Sequence, residues 1–170
     1  MNNLNVEVPE DVAEFQKRVK EGQLTTDQQE RLTSIHEAAH AVCMIDSGIV
    51  VDRVTIIPEP RGNGSVDGRY PVTFENFQKL CVAALAAGIL ESSISGISNI
   101  SGDLAELRRI SLHFSMDQDK FLEVIGHSYG NAHQFVAEHS NQILAVARLL
   151  HAKKTLTGDE VASVVKEIKN

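Results

Sequence analysis

The chain has 170 residues, of which 42% are hydrophobic and 23% charged, with a net charge of −7 and a pI near 5.5. That length and balance suit one soluble domain with a sizeable core. The acidic charge argues against nucleic acid or an anionic membrane surface as partner, because phosphates would be repelled, and no dense Lys/Arg run overrides it.

The N-terminus, MNNLNVEVPEDV, has neither a basic stretch nor an apolar one, so no secretory signal is read there and a cytoplasmic location is expected. Residues 1–25 are expected to form an N-terminal extension with a short helix from about Glu10 to Lys20, ended by Gly22. Residues 26–170 are expected to form the main domain. It opens with a long helix over TTDQQERLTSIHEAAHAVCMIDSG, with Thr26 and Gln29 as a capping box and Gly48 as the stop. RVTIIP is β-branched and strand-like, RGNGSVDG is turn chemistry, and a short return strand is expected to follow.

Helix resumes near Phe74 and runs to about Ser95, before Gly96. Its apolar stretch, Leu80 to Leu90, is too short to cross a bilayer and reads as a buried core helix. SGISNISG is a loop, and DLAELRRISLHF is another helix. The segment that follows reads as helix broken near Gly126 and Gly130, and a further helix is expected from His133 to Lys153. The last helix starts at TLTGDEV, where Thr157 and Glu160 form a capping box and Leu156 with Val161 a hydrophobic staple. The fold class is therefore mainly α, with a small β-strand or hairpin element.

The stretch that carries chemistry is SIHEAAHAV, residues 34–42. Residues four apart lie on one helix face, so His36 and His40 can offer imidazole nitrogens to one metal ion. Glu37 points about 100° round from His36 and can reach a water on the metal's open side. Two ligands and a base on one rigid rod suit a zinc hydrolase. Leu32, Ile35, Ala39, Val42 and Cys43 form the apolar stripe, and the histidines flank its edge. Chance gives HExxH in about 2% of chains of this composition, so surroundings must decide. A catalytic zinc needs a third protein ligand. Glu91, Asp103, Glu106 and the remaining histidines are the candidates. Asp103 with Glu106 also fits a plain capping arrangement.

Several stretches in order resemble the peptidase domain of the FtsH-type zinc metalloproteases. HEAAHAV looks like that family's HEAGHA, and DRVTIIPEPRGNG like its KVTIIPRG strand and turn. LAAGILESSISG is similar to its GGRxAEE helix, SGDLAELRRIS to its SxD[LI]xxAT helix, and LLHAKKTLTGDEV to its closing segment. The similarity covers about Arg31 to Lys166. It implies zinc as cofactor, held by His36, His40 and Asp103, with Glu37 as general base and Glu91 orienting a histidine ligand. It also implies that the strand Val54, Thr55, Ile56 and Ile57 offers its edge to an extended substrate peptide. The resemblance departs at Ala39, which stands for a glycine, at AAG, which stands for GGR, and in the region after Asp103. No GxxxxGK[ST] phosphate loop and no membrane segment is read in these residues, so the family's ATPase module and anchor are not expected here.

The expected function is zinc-dependent hydrolysis of peptide bonds in flexible or unfolded polypeptides, independent of ATP. A peptide or unfolded protein is the expected substrate, and a separate ATPase or further copies of the chain are candidate partners. The alternative is a catalytically silent relative acting as a binding or regulatory subunit. Elsewhere, Cys43 and Cys81 read as buried free thiols. His113, His127, His133, His139 and His151 lack ligand spacing with one another and read as surface or capping residues.

Overall fold

The computed structural model describes residues 12–58 and 62–169. Among them the chain forms α1 (Val12–Lys20), α2 (Thr26–Asp46), β1 (Val50–Thr55), β2 (Ser65–Arg69), α3 (Phe74–Ser95), α4 (Ser101–Ser111), a 3-10 turn (Leu112–Phe114), α5 (Gln118–Lys153), β3 (Thr155–Thr157) and α6 (Gly158–Lys169). The mainly helical class with a small β element is what the sequence led us to expect. Glu10, the expected start of the first helix, lies outside the described residues. That helix docks through Phe15 and Val19 onto Leu32 of α2.

Helices α2, α3 and α5 pack on one another in all three pairings, and β1 lies against α2. Burial of α2 extends beyond the expected stripe to Ser34, Ala38 and Ala41, because neighbours cover it on several sides. Small residues suit that position, since they let the neighbouring backbones approach closely. α3 has the length and apolarity of a membrane span, yet about half of it is buried against the rest of the fold, as in a core helix.

The caps bear out most of the expected boundaries. The capping box of α2 is one residue earlier than expected. Thr25, extended at φ −67°, receives the Gln28 amide at 3.2 Å, and Gln28 Oε1 accepts from the Thr25 amide at 3.1 Å. Thr157 and Glu160 form the reciprocal pair expected at α6, and both Leu156 and Val161 are fully buried.

Gly126 and Gly130 do not break the helix: α5 runs unbroken for 36 residues. Each glycine costs about 1 kcal/mol relative to alanine in a helix interior. The buried face continues across both, through Val124, Ser128, Ala132 and Phe135. Burial of a residue such as Val124 or Phe135 contributes about 1.5–3 kcal/mol, which offsets that cost.

The sheet is antiparallel, in the order β2-β1-β3. The return strand was expected, but β3 was not. It pairs Arg53, Val54 and Thr55 with Thr157, Leu156 and Thr155. β1 is therefore the central strand. Val54 and Thr55 are paired with β2 on one side and β3 on the other, and the Ile56 amide donates to the Lys154 carbonyl at 2.9 Å. Of the edge expected at Val54, Thr55, Ile56 and Ile57, the first two residues are paired on both sides within the sheet, and Ile56 is bonded to Lys154. The first three of these residues are buried, and Ile57 is exposed.

Candidate metal centre

α2 carries His36 and His40 on one face, one turn apart, and their Nε2 atoms lie 3.1 Å from each other. The rings meet edge to face, with centroids 4.9 Å apart. α4 brings the third group. Its N-cap, Ile100, has no side chain that can cap, and Asp103 sits in the first turn. The Asp103 carboxylate points across to α2 rather than back to its own helix. Oδ2 lies 3.1 Å from His36 Nε2, and Oδ1 lies 3.2 Å from His40 Nε2. The capping alternative for Asp103 and Glu106 is not what forms, since Glu106 pairs with Arg109 instead. A carboxylate in the first turn of a helix is also favoured by the backbone dipole.

The three donors fit a zinc ion. With Zn–N near 2.0–2.1 Å and tetrahedral angles, ligand atoms stand about 3.3 Å apart. Here His36 Nε2 lies 3.1 Å from His40 Nε2 and 3.1 Å from Asp103 Oδ2, while the second carboxylate oxygen, Oδ1, lies 3.2 Å from His40 Nε2. The protonation chemistry agrees. Glu91 Oε2 lies 3.1 Å from His36 Nδ1, so once a metal displaces the proton from Nε2 the ring can keep its remaining proton on Nδ1 and present the Nε2 lone pair. That lone pair then faces a second imidazole nitrogen and a carboxylate oxygen. One proton can bridge only one of these contacts, whereas a cation between the three side chains is met by all of them.

The electrostatics show the same demand for positive charge. Burial pushes the His36 imidazole down, but hydrogen bonds to Asp103 and Glu91 outweigh it and raise the pKa to about 10. For Asp103, burial pushes the carboxyl up, and the two histidines outweigh it and hold it well below the usual carboxylate range.

Glu91, on α3, stays out of the donor set and grips the back of His36, as expected of an orienting residue. The same oxygen accepts the backbone amide of Asn99 at 3.1 Å. Asn99 belongs to the loop that leads into α4, a connection the sequence did not reveal.

Glu37 follows His36 and is only 9% exposed. Its carboxylate makes no hydrogen bond among the described residues. Burial raises its pKa, and the nearby histidines oppose that only in part. Gly64, just before β2, lies directly over it: a Cβ there would fall 2.8 Å from Glu37 Cγ and Oε1 and 2.9 Å from the Thr55 carbonyl oxygen. Sequence reasoning saw this glycine as turn chemistry alone. Its signal was its place in a hairpin that follows the histidine helix.

The remaining candidates lie elsewhere. Cys43 is in the main core and Cys81 in a second core cluster; both are buried free thiols. His127 contacts the Glu123 carbonyl, His139 stacks on Phe135, and His133 meets Tyr129 edge-on. A second acidic group with His151 gathers Asp27 and Glu30, but Arg31 pairs with Asp27 at 2.8 Å and Lys154 with Glu30 at 2.8 Å. Those cations already balance its charge. Compared with known protein families and with curated proteins, the chain matches none.

Proposed function

We propose that this chain is a zinc-dependent metallopeptidase, a relative of the FtsH-type peptidase domain, which hydrolyses peptide bonds in flexible or unfolded polypeptides without using ATP itself. The observation that carries the proposal is the grouping of three metal donors, His36, His40 and Asp103, with a largely buried carboxylate, Glu37, on the same turn of α2. A structural histidine pair would have no need of that carboxylate, and a carboxyl group whose pKa is shifted by burial beside a cluster of metal donors is what a catalytic base requires.

The three donors would hold the ion and leave its fourth position open. A zinc ion held there supplies Lewis acidity to a carbonyl and to water. Glu37 takes a proton on its carboxylate and later returns it to the leaving amine. Burial raises its pKa, which favours its holding the proton between the two transfers. Glu91 fixes the His36 tautomer, so that Nε2 is the atom presented. An extended substrate would pair with β2 (Ser65–Arg69), the outer strand on that side of the sheet, because both edges of β1 are taken.

Elemental analysis and a cleavage assay test the reading. Purified protein is expected to contain about one zinc per chain, and casein is expected to be cleaved by the wild type and spared by Glu37→Gln, which keeps its zinc. A folded protein that takes up no zinc overturns the metal centre. Zinc retained with no cleavage of any unfolded substrate replaces the peptidase with a binding or regulatory subunit.

A further inference from the structure

The loop that delivers Asp103 is fastened to α3 along its whole length. Gly96 ends α3 in the left-handed conformation. The Ser95 hydroxyl donates to the Ile97 carbonyl at 2.8 Å and lies 3.2 Å from the Ile97 amide. The Asn99 amide donates to Glu91, one turn back along α3. The last fastening is steric. Gly88 is buried in α3, and a Cβ built there would fall 2.4 Å from Ile100 Cγ2 and 2.5 Å from Ser98 Oγ. The Ser98 hydroxyl can swing aside. Ile100 Cγ2 cannot, because it branches from Cβ on a backbone that is the N-cap of α4. Asp103 is three residues further on.

We infer that Gly88 is a positioning residue for the metal centre: its bare backbone is the seat on which Ile100 rests, and that seat sets the height of α4 and the reach of Asp103 toward His36 and His40. The inference rests on the metal centre proposed above. It explains why a glycine occupies the middle of a 22-residue core helix, where alanine is the better helix former. The two alanines before it show that small side chains are accepted there, whereas a Cβ at position 88 would run into Ile100 and Ser98.

Zinc affinity, measured by competition with a chromophoric chelator, provides the test without any cleavage assay. Gly88→Ala is expected to weaken zinc binding at least tenfold, the range seen when groups behind metal ligands are altered. Removing the opposing methyl should reverse the loss, so Gly88→Ala with Ile100→Ala is expected to recover to within about threefold of Ile100→Ala alone. Ile100→Phe approaches the same contact from a half-buried loop position and should also weaken zinc. A folded Gly88→Ala, or a folded Ile100→Phe, with unchanged affinity overturns the inference. Failure of both to fold in chelator assigns Gly88 to the core and overturns it too. If the wild type itself takes up no zinc, the metal centre falls, and this inference with it. If the wild type binds and the variants bind equally, only this inference falls.

Discussion

Glu91 and His36, 55 residues apart in the chain, meet at 3.1 Å on the side of the imidazole opposite Asp103. One carboxylate oxygen therefore serves both the His36 ring and, through Asn99, the loop that brings Asp103. Glu91→Ala should lower zinc affinity about 10- to 100-fold without abolishing it. Asp103→Ala should remove stoichiometric zinc. Chelator competition on the two variants and on a Glu106→Gln control provides the ranking. Equal affinities in Glu91→Ala and wild type would refute the role.

Gly64→Ala places a methyl group against Glu37 and the Thr55 carbonyl. Overpacking of this kind costs about 1–3 kcal/mol. The variant should keep its zinc, melt lower than wild type, and lose at least tenfold in kcat on casein, with a smaller change in KM. Unchanged kcat would show that the hairpin does not bear on Glu37.

The pH response of stability should change sign with metal. His36 has its pKa raised to about 10, against about 6.5 in an unfolded chain. In chelator, the stability from its charged pairs is full below pH about 6.5 and is lost as pH rises toward 10. Asp103, held low, contributes above pH about 4, and its contribution fades as pH falls below that. Zinc requires deprotonated ligands, so its stabilisation grows with pH. The Tm difference between zinc-loaded and chelated protein should therefore widen from pH 6 to pH 9. Calorimetry that finds the gap narrowing would contradict the assignment.

Cys43 and Cys81 both have thiols that burial pushes up to about 12. Neither should react with iodoacetamide at pH 8 in the folded protein, and both should react in urea. Mass spectrometry of the alkylated protein measures this. Rapid native labelling of either would show that its core cluster opens easily.

The centre was partly legible because its first half is local. His36, Glu37 and His40 share one helix turn, and helix periodicity alone puts them together. Asp103 was not legible in that way. Its distance to His36 depends on how α4 packs, and only the resemblance singled it out from Glu91 and Glu106. β1 was recognisable as a strand from its β-branched residues, yet its central place was hidden. The partner that closes it, Thr155–Thr157, is three residues long and overlaps a helix-start signal. The unbroken α5 was missed for the opposite reason. Gly126 and Gly130 are strong local punctuation, and the burial that overrides them depends on neighbours far away in sequence.

The pairing of Thr55 with Thr155, whose hydroxyl oxygens lie 2.8 Å apart, has a consequence for biogenesis. The hairpin that leans on Glu37 is braced on its far side by residues synthesised a hundred positions later. During translation the histidine helix emerges well before that brace, so the working pocket is completed only at a late stage. If the proposed function holds, a nascent copy would carry its metal donors before the strand over Glu37 is held in place.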